Sequence, residues 1–124
     1  MSYLKAFLNQ MDRFLQDLIS IYPNEKHISV YKNSLSLLKK TNPRVIIEGF
    51  AYYAFPYREQ INNRDSNFFL QNDYKNELGD NNENMMEALK FKKLWKDMSE
   101  KNKEIIWKYF DVFIKLAEKD QEMR

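Results

Sequence analysis

Cysteine is absent from this chain. That removes disulfides, thiol nucleophiles and sulfur-ligated zinc from consideration. Histidine occurs once, as His27, so a histidine metal site cannot be assembled from this chain either. Two glycines and three prolines leave little material for hairpins and tight turns. No Asn-x-Ser/Thr sequon occurs, and N-glycosylation is not expected. No stretch approaches the roughly 20 apolar residues of a membrane helix. The opening segment MSYLKAFLNQMDRF lacks the apolar run of a signal peptide. These absences together lead us to expect a soluble intracellular protein with no membrane role. The net charge of +2 is too small to drive the chain onto nucleic acid by its overall field.

What remains is a chain of 124 residues, the size of one domain. Such a domain buries roughly two-thirds of its unfolded surface and needs no staple. Aromatic residues make up 15% of it, so rings should supply much of the core volume. Asn, Lys, Ile, Tyr and Phe are all heavily used. Their codons are AT-rich, and the bias reports genome composition as readily as function.

Apolar periodicity predicts an all-α fold. Leu4, Leu8, Met11, Leu15, Leu18 and Tyr22 recur at spacings of four and three, widened by Phe7, Phe14 and Ile21. Ser2 can cap this first helix and Pro23 ends it. Its heptad regularity suits a bundle helix better than a coiled-coil dimer. A second helix begins near Asn24 or Glu25 with the stripe Ile28, Tyr31, Leu35 and Leu38. Lys39 and Lys40 fall in its last turn, where cations suit the helix dipole. Asn42 and Pro43 then close this helix and open the third, as N-cap and first helical residue.

The third helix holds EGFAYYAFPYREQ, with five rings between Phe50 and Tyr57. Ile46, Ile47, Phe50, Tyr53, Ala54, Tyr57 and Ile61 share a core face by spacing, with Val45, Tyr52 and Phe55 on the other side. Pro56 cannot donate to the Tyr52 carbonyl, so the helix should kink or break there. The rings read first as core around a bent central helix. The competing reading is an aromatic interaction surface at the kink, formed by Tyr52, Phe55 and Tyr57. Further on, Asp65-Ser66 can cap a short turn through Phe68, Phe69 and Leu70, and an Asn-rich loop with Gly79 follows. Asn84 with Glu87 resembles a capping box for a fourth helix, whose apolar side is Ala88, Phe91, Leu94, Trp95 and Met98. Ser99 caps a fifth helix that is apolar almost all round and should be the most buried. Its narrow polar stripe is Glu104, Lys108, Asp111, Lys115 and Glu118. Trp107, on this helix, should therefore matter far more to stability than Trp95, which borders lysines. The expected architecture is a compact bundle of about five helices over residues 1–124, kinked at the third and centred on the fifth.

The chemistry sought in this pattern is sparse. His27 has no nucleophile elbow to serve and reads as a solvated helix-start residue. From Asp80, Asn82 and Asn84 keep the alternation of a calcium loop, but Met85 and Phe91 stand where that motif needs Gly and Glu. Neither Glu-x-x-His nor a Gly-rich phosphate loop occurs. No catalytic, metal or cofactor site is expected. The one basic cluster, Lys90, Lys92, Lys93, Lys96, Lys101 and Lys103, could hold phosphates. It reads equally as a solvated face relieved by Glu87, Asp97 and Glu100.

Two segments carry a resemblance. YKNSLSLLKKTNPRVIIEGFAYYAFPYREQINNRDSNFFLQNDY and LKFKKLWKDMSEKNKEIIWKYFDVFIKLAEK resemble a group of short helical proteins encoded by large nucleocytoplasmic DNA viruses of algae and protists. The traits shared are Asn42-Pro43, the aromatics before Pro56-Tyr57, Phe68-Phe69-Leu70 with Asp73-Tyr74, and Glu104 to Tyr109. The resemblance implies a viral origin and brings no activity with it. The function expected is a non-enzymatic structural or protein-interaction role, as a virion component or an adaptor in the replication compartment. A protein partner is expected, with homo-oligomerisation left open. The alternative is a nucleic-acid-associated accessory protein using the Lys-rich face.

Overall fold

The computed structural model describes residues 2–67 and 92–124. Every regular element among them is helical. Helix α1 spans Tyr3–Ile21, α2 Lys26–Thr41 and α3 Arg44–Ala54. A 3-10 turn at Phe55–Tyr57 leads into the short α4, Arg58–Asn62. Residues 92–97 are helical, and α5 spans Glu100–Glu122. The bundle expected from periodicity is present, and its third helix breaks at Pro56. Both caps expected at α1 and α5 form. Ser2 Oγ accepts from the Lys5 amide at 3.1 Å, and Ser99 Oγ accepts from the Asn102 amide at 3.2 Å. Each satisfies one of the amides that a helix start leaves without a partner. Asn42 does not cap with its side chain. Pro43 is already helical, at φ −63° and ψ −30°, and the Asn42 carbonyl accepts from the Val45 amide at 3.3 Å instead.

The core is a knot of rings shared by α1, α3 and α5. Phe113 lies at its centre, fully buried. Its ring centroid is 5.4 Å from Phe7, 5.6 Å from Phe14, 5.5 Å from Phe50 and 5.7 Å from Phe110. Tilted and edge-on geometries dominate, as the ring quadrupole favours. Helix α5 is central as expected, but it is not the most buried alone: α1 and α5 each bury five side chains. On α5 the apolar Val112 reaches the surface. A second cluster pairs Trp95 and Trp107 edge to face, centroids 5.2 Å apart. Trp95 is 0% exposed and Trp107 3%, so the expectation that Trp95 matters far less to the core than Trp107 is overturned. The helical segment 92–97 turns its one large ring inward, and Met98 is buried beside it.

Ion pairs close the frame at two places. Arg44, at the start of α3, holds the buried Asp120 of α5 with two bonds of 3.0 and 3.1 Å. Arg124 adds 3.4 Å to Asp120 and 2.8 Å to Glu48. A carboxylate can be buried at Asp120 because two guanidiniums answer it. At the other end, Arg64 follows α4 in the left-handed region, at φ 57°. Its amide donates to the Ile61 carbonyl at 3.2 Å, and the Asp65 amide donates to Gln60 at 2.8 Å. This is the Schellman stop that glycine usually provides. Arginine accepts the conformation there because its guanidinium reaches α5, 2.8 Å from Asp111 and 3.2 Å from Glu104.

Helices α1 and α5 are also joined by the Tyr109 phenol, which donates to the Asp17 carboxylate. Burial first, and this hydrogen bond second, push the Tyr109 phenol up to about 12. Burial and then the nearby Asp97 charge raise Tyr22 as well. The folded state thus holds the Tyr109 proton more tightly than the unfolded chain does. The stability this confers is complete below pH 10 and is lost as pH rises from 10 through about 12. A tyrosinate absorbance titration should show a late step that moves to lower pH in Asp17→Asn. A late step unmoved by that substitution would assign it elsewhere.

Candidate interaction surface

The break at Pro56 separates the three aromatic candidates. Before it, Tyr52 stands on the outer side of α3, 76% exposed, edge-on to Tyr53 with centroids 5.2 Å apart. Phe55 and Tyr57 lie within the 3-10 turn and pack against the core. The Arg58 guanidinium sits 4.6 Å over the Phe55 ring, while its Nε donates to the Phe55 carbonyl at 3.2 Å and its Nη1 lies 3.4 Å from Glu118. The turn thus folds two rings inward and leaves Tyr52 outside.

The core face of α3 is Ile47, Ala51 and Ala54. Tyr53, which spacing placed in the core, is 40% exposed. Ala51 and Ala54 are buried there, and Phe50 packs on Phe7, Phe110 and Phe113. Val45, Gly49 and Tyr52 therefore form a strip at i, i+4 and i+7 on the outward side. A Cβ built at Gly49 would meet nothing within 4 Å. Glycine inside a helix costs roughly 0.5–1 kcal/mol relative to alanine, and among the described residues no contact uses its small size. Gly49→Ala should therefore raise the denaturant midpoint, by about that free energy. A lower midpoint would mean the strip is already occupied.

Helix α2 is the least buried of the long helices, with Ile28 as its only buried side chain. Tyr31 and Leu38, expected inside, are exposed, together with Val30 and Leu37. One stripe on a short helix cannot fix how wide a face its neighbours cover, and here α1 and α3 cover only the Ile28–Leu35 side.

The lysines of the basic cluster differ in setting. Lys90 lies outside the described residues, as do the Asp80 loop, the Asn84–Glu87 pair and Phe68 to Leu70. Lys103 is drawn down, 5.5 Å over the Trp95 ring and 3.3 Å from Glu100. Lys92 is half-buried, and Lys93, Lys96 and Lys101 are exposed beside Asp97 and Glu100. His27 is half-buried, its Nδ1 3.4 Å from Glu25. Among the described residues no three His, Asp or Glu side chains are grouped to hold a metal ion. No described helix is long and apolar enough to cross a membrane. A shallow cleft between α4 and α5 is lined by Arg58, Ile61, Asp111, Lys115 and Glu118, with Arg58 and Glu118 paired across it. No protein family, curated protein or solved structure matches the chain.

Proposed function

We propose that this chain is a non-enzymatic protein-interaction or structural protein of a large DNA virus. In this reading it works as a virion component or as an adaptor in the replication compartment of the host cell. The viral assignment rests on the resemblance of the two segments alone. The interaction role is supported chiefly by the outward strip of α3, where Tyr52 is 76% exposed beside a glycine with open space over it. Tyrosine suits such a place, because its ring buries area while its hydroxyl stays wet. The nucleic-acid reading is second, since Lys103 already stacks on Trp95 and pairs with Glu100.

The test compares Tyr52→Ser with Phe55→Ser, using partners recovered from infected cells and virions. Tyr52→Ser should lose the partner, or self-association, and keep the thermal midpoint. Phe55→Ser should lose stability, because that ring packs on the core. Unfolding by Tyr52→Ser would make the ring structural. Salt-dependent retention of the wild-type chain on DNA would favour the second reading.

A further inference from the structure

We infer that the outer face of α2 is a docking site for an acidic amphipathic helix of a partner protein. The inference deepens the interaction reading above by naming a second surface and the chemistry of its occupant. Among the described residues, helix α2 buries little of its surface. Glu25 makes no side-chain cap, and Ile28 alone is buried among 16 residues. Leu35 is partly buried against the core, and one ion pair, Lys39 to Asp12 at 3.5 Å, ties the helix to α1. Helices of this length depend on packing rather than propensity, and the residues here are middling helix formers. Yet Val30 is 57% exposed and Leu37 65%, with Leu38 exposed next to them. At 3.6 residues per turn Val30 and Leu37 fall on the side opposite Ile28, and Leu38 lies on the flank between them and Leu35.

Charge selects the occupant. From Lys26 to Thr41 the helix carries four lysines and no Asp or Glu. Among the described residues, the acids paired with this helix are Glu25, which lies beside His27, and Asp12, which is engaged by Lys39. Lys26 and Lys40 are exposed and border the apolar face on one side, about 21 Å apart along the axis at 1.5 Å per residue. An incoming helix of about four turns, with Leu or Ile on one face and carboxylates near both ends, meets the apolar strip and both lysines at once. A second copy of this chain fits poorly. Antiparallel pairing of two α2 helices sets Lys26 against Lys40, and parallel pairing sets each lysine against itself. A bilayer suits a helix with cations along both borders of its apolar face. Here the other border, through Leu35, leads into the core.

The test uses the full chain and a synthetic helical peptide of about five turns, with leucine on one face and glutamate on the other. A second peptide carries lysine in place of glutamate. The glutamate peptide should bind in the micromolar range and weaken with salt, and the lysine peptide should not bind. Leu37→Ser should weaken binding about tenfold, equivalent to about 1.4 kcal/mol. Exchange of Lys26 and Lys40 for glutamate leaves the core untouched and should reverse the preference between the peptides. Tyr52→Ser should leave peptide binding unchanged, which separates failure of this inference from failure of the α3 surface. Equal binding of the two peptides, or none, overturns the inference. So does binding to phosphatidylglycerol vesicles in place of the peptide, or a dimer in sedimentation that Leu37→Ser dissolves.

Discussion

Phe113→Ala should lower the unfolding free energy by about 4 kcal/mol, within the range for truncating a buried aromatic ring. The ring is fully enclosed and touches rings from three helices: Phe7 and Phe14 on α1, Phe50 on α3, and Phe110 and Tyr109 on its own helix. None of these can follow the lost volume without leaving its other neighbours. Phe14, for example, also packs on Tyr109 at 5.3 Å. The site therefore cannot collapse, and the cavity term adds to the transfer term. A domain of this size has only about 5–15 kcal/mol in total, so the variant should melt far below the parent. Phe7→Ala, combined with Phe113→Ala, should cost less than the sum of the two, because each removes the same 5.4 Å contact. Denaturant melts of the three variants measure both effects. A loss under about 1 kcal/mol for Phe113→Ala would place the core elsewhere.

The fold was legible where one helix carried a long stripe bounded by recognisable ends. For α1 the spacing of Leu4 through Leu18, with Ser2 before and Pro23 after, specified both the face and the limits. Pro56 announced its break because a residue without an amide cannot continue the ladder. Faces were less legible than elements. Periodicity finds the apolar direction of a helix, but its neighbours decide which part of that direction is covered. On α3 the eye follows the rings, whereas close packing uses Ala51 and Ala54. On α2 the stripe was real, and its Ile28–Leu35 part is the part packed into the core.

The candidate surface was half legible. Tyr52 was correctly placed opposite the core stripe. Tyr57 packs on the core, as its spacing indicates, but the 3-10 turn also brings in Phe55, which helical spacing sets on the outer side. Asp120 left a signal that could have been read, since it continues Phe113 and Ala117 at i+7 and i+3 on the buried stripe. Its partner Arg44 could not be read, being far away in the chain. Arg64 left no signal, because its left-handed backbone depends on carboxylates supplied by α5.

Trp95→Ala should be about as damaging as Trp107→Ala, each costing about 3–5 kcal/mol. The lysines around Trp95 in the chain suggest a surface ring, but a lysine can lay its stem along an apolar side chain and keep its ammonium wet. Lys103 does this, with Nζ 5.5 Å over the Trp95 ring and 3.3 Å from Glu100. The ring itself is 0% exposed and meets Trp107 edge to face at 5.2 Å, a contact worth about 0.5–1.5 kcal/mol beyond the area buried. The double variant should therefore lose less than the sum of the singles by roughly that amount. The chain has only two tryptophans, so each single variant leaves one fluorophore to report on the gap. In Trp95→Ala the emission of Trp107 should shift to longer wavelength in the folded state, since one wall of its pocket is gone. A Trp95→Ala variant with the parent's midpoint and an unshifted Trp107 emission would show that residues 92–97 do not dock on α5, and that the lysines describe Trp95 correctly after all.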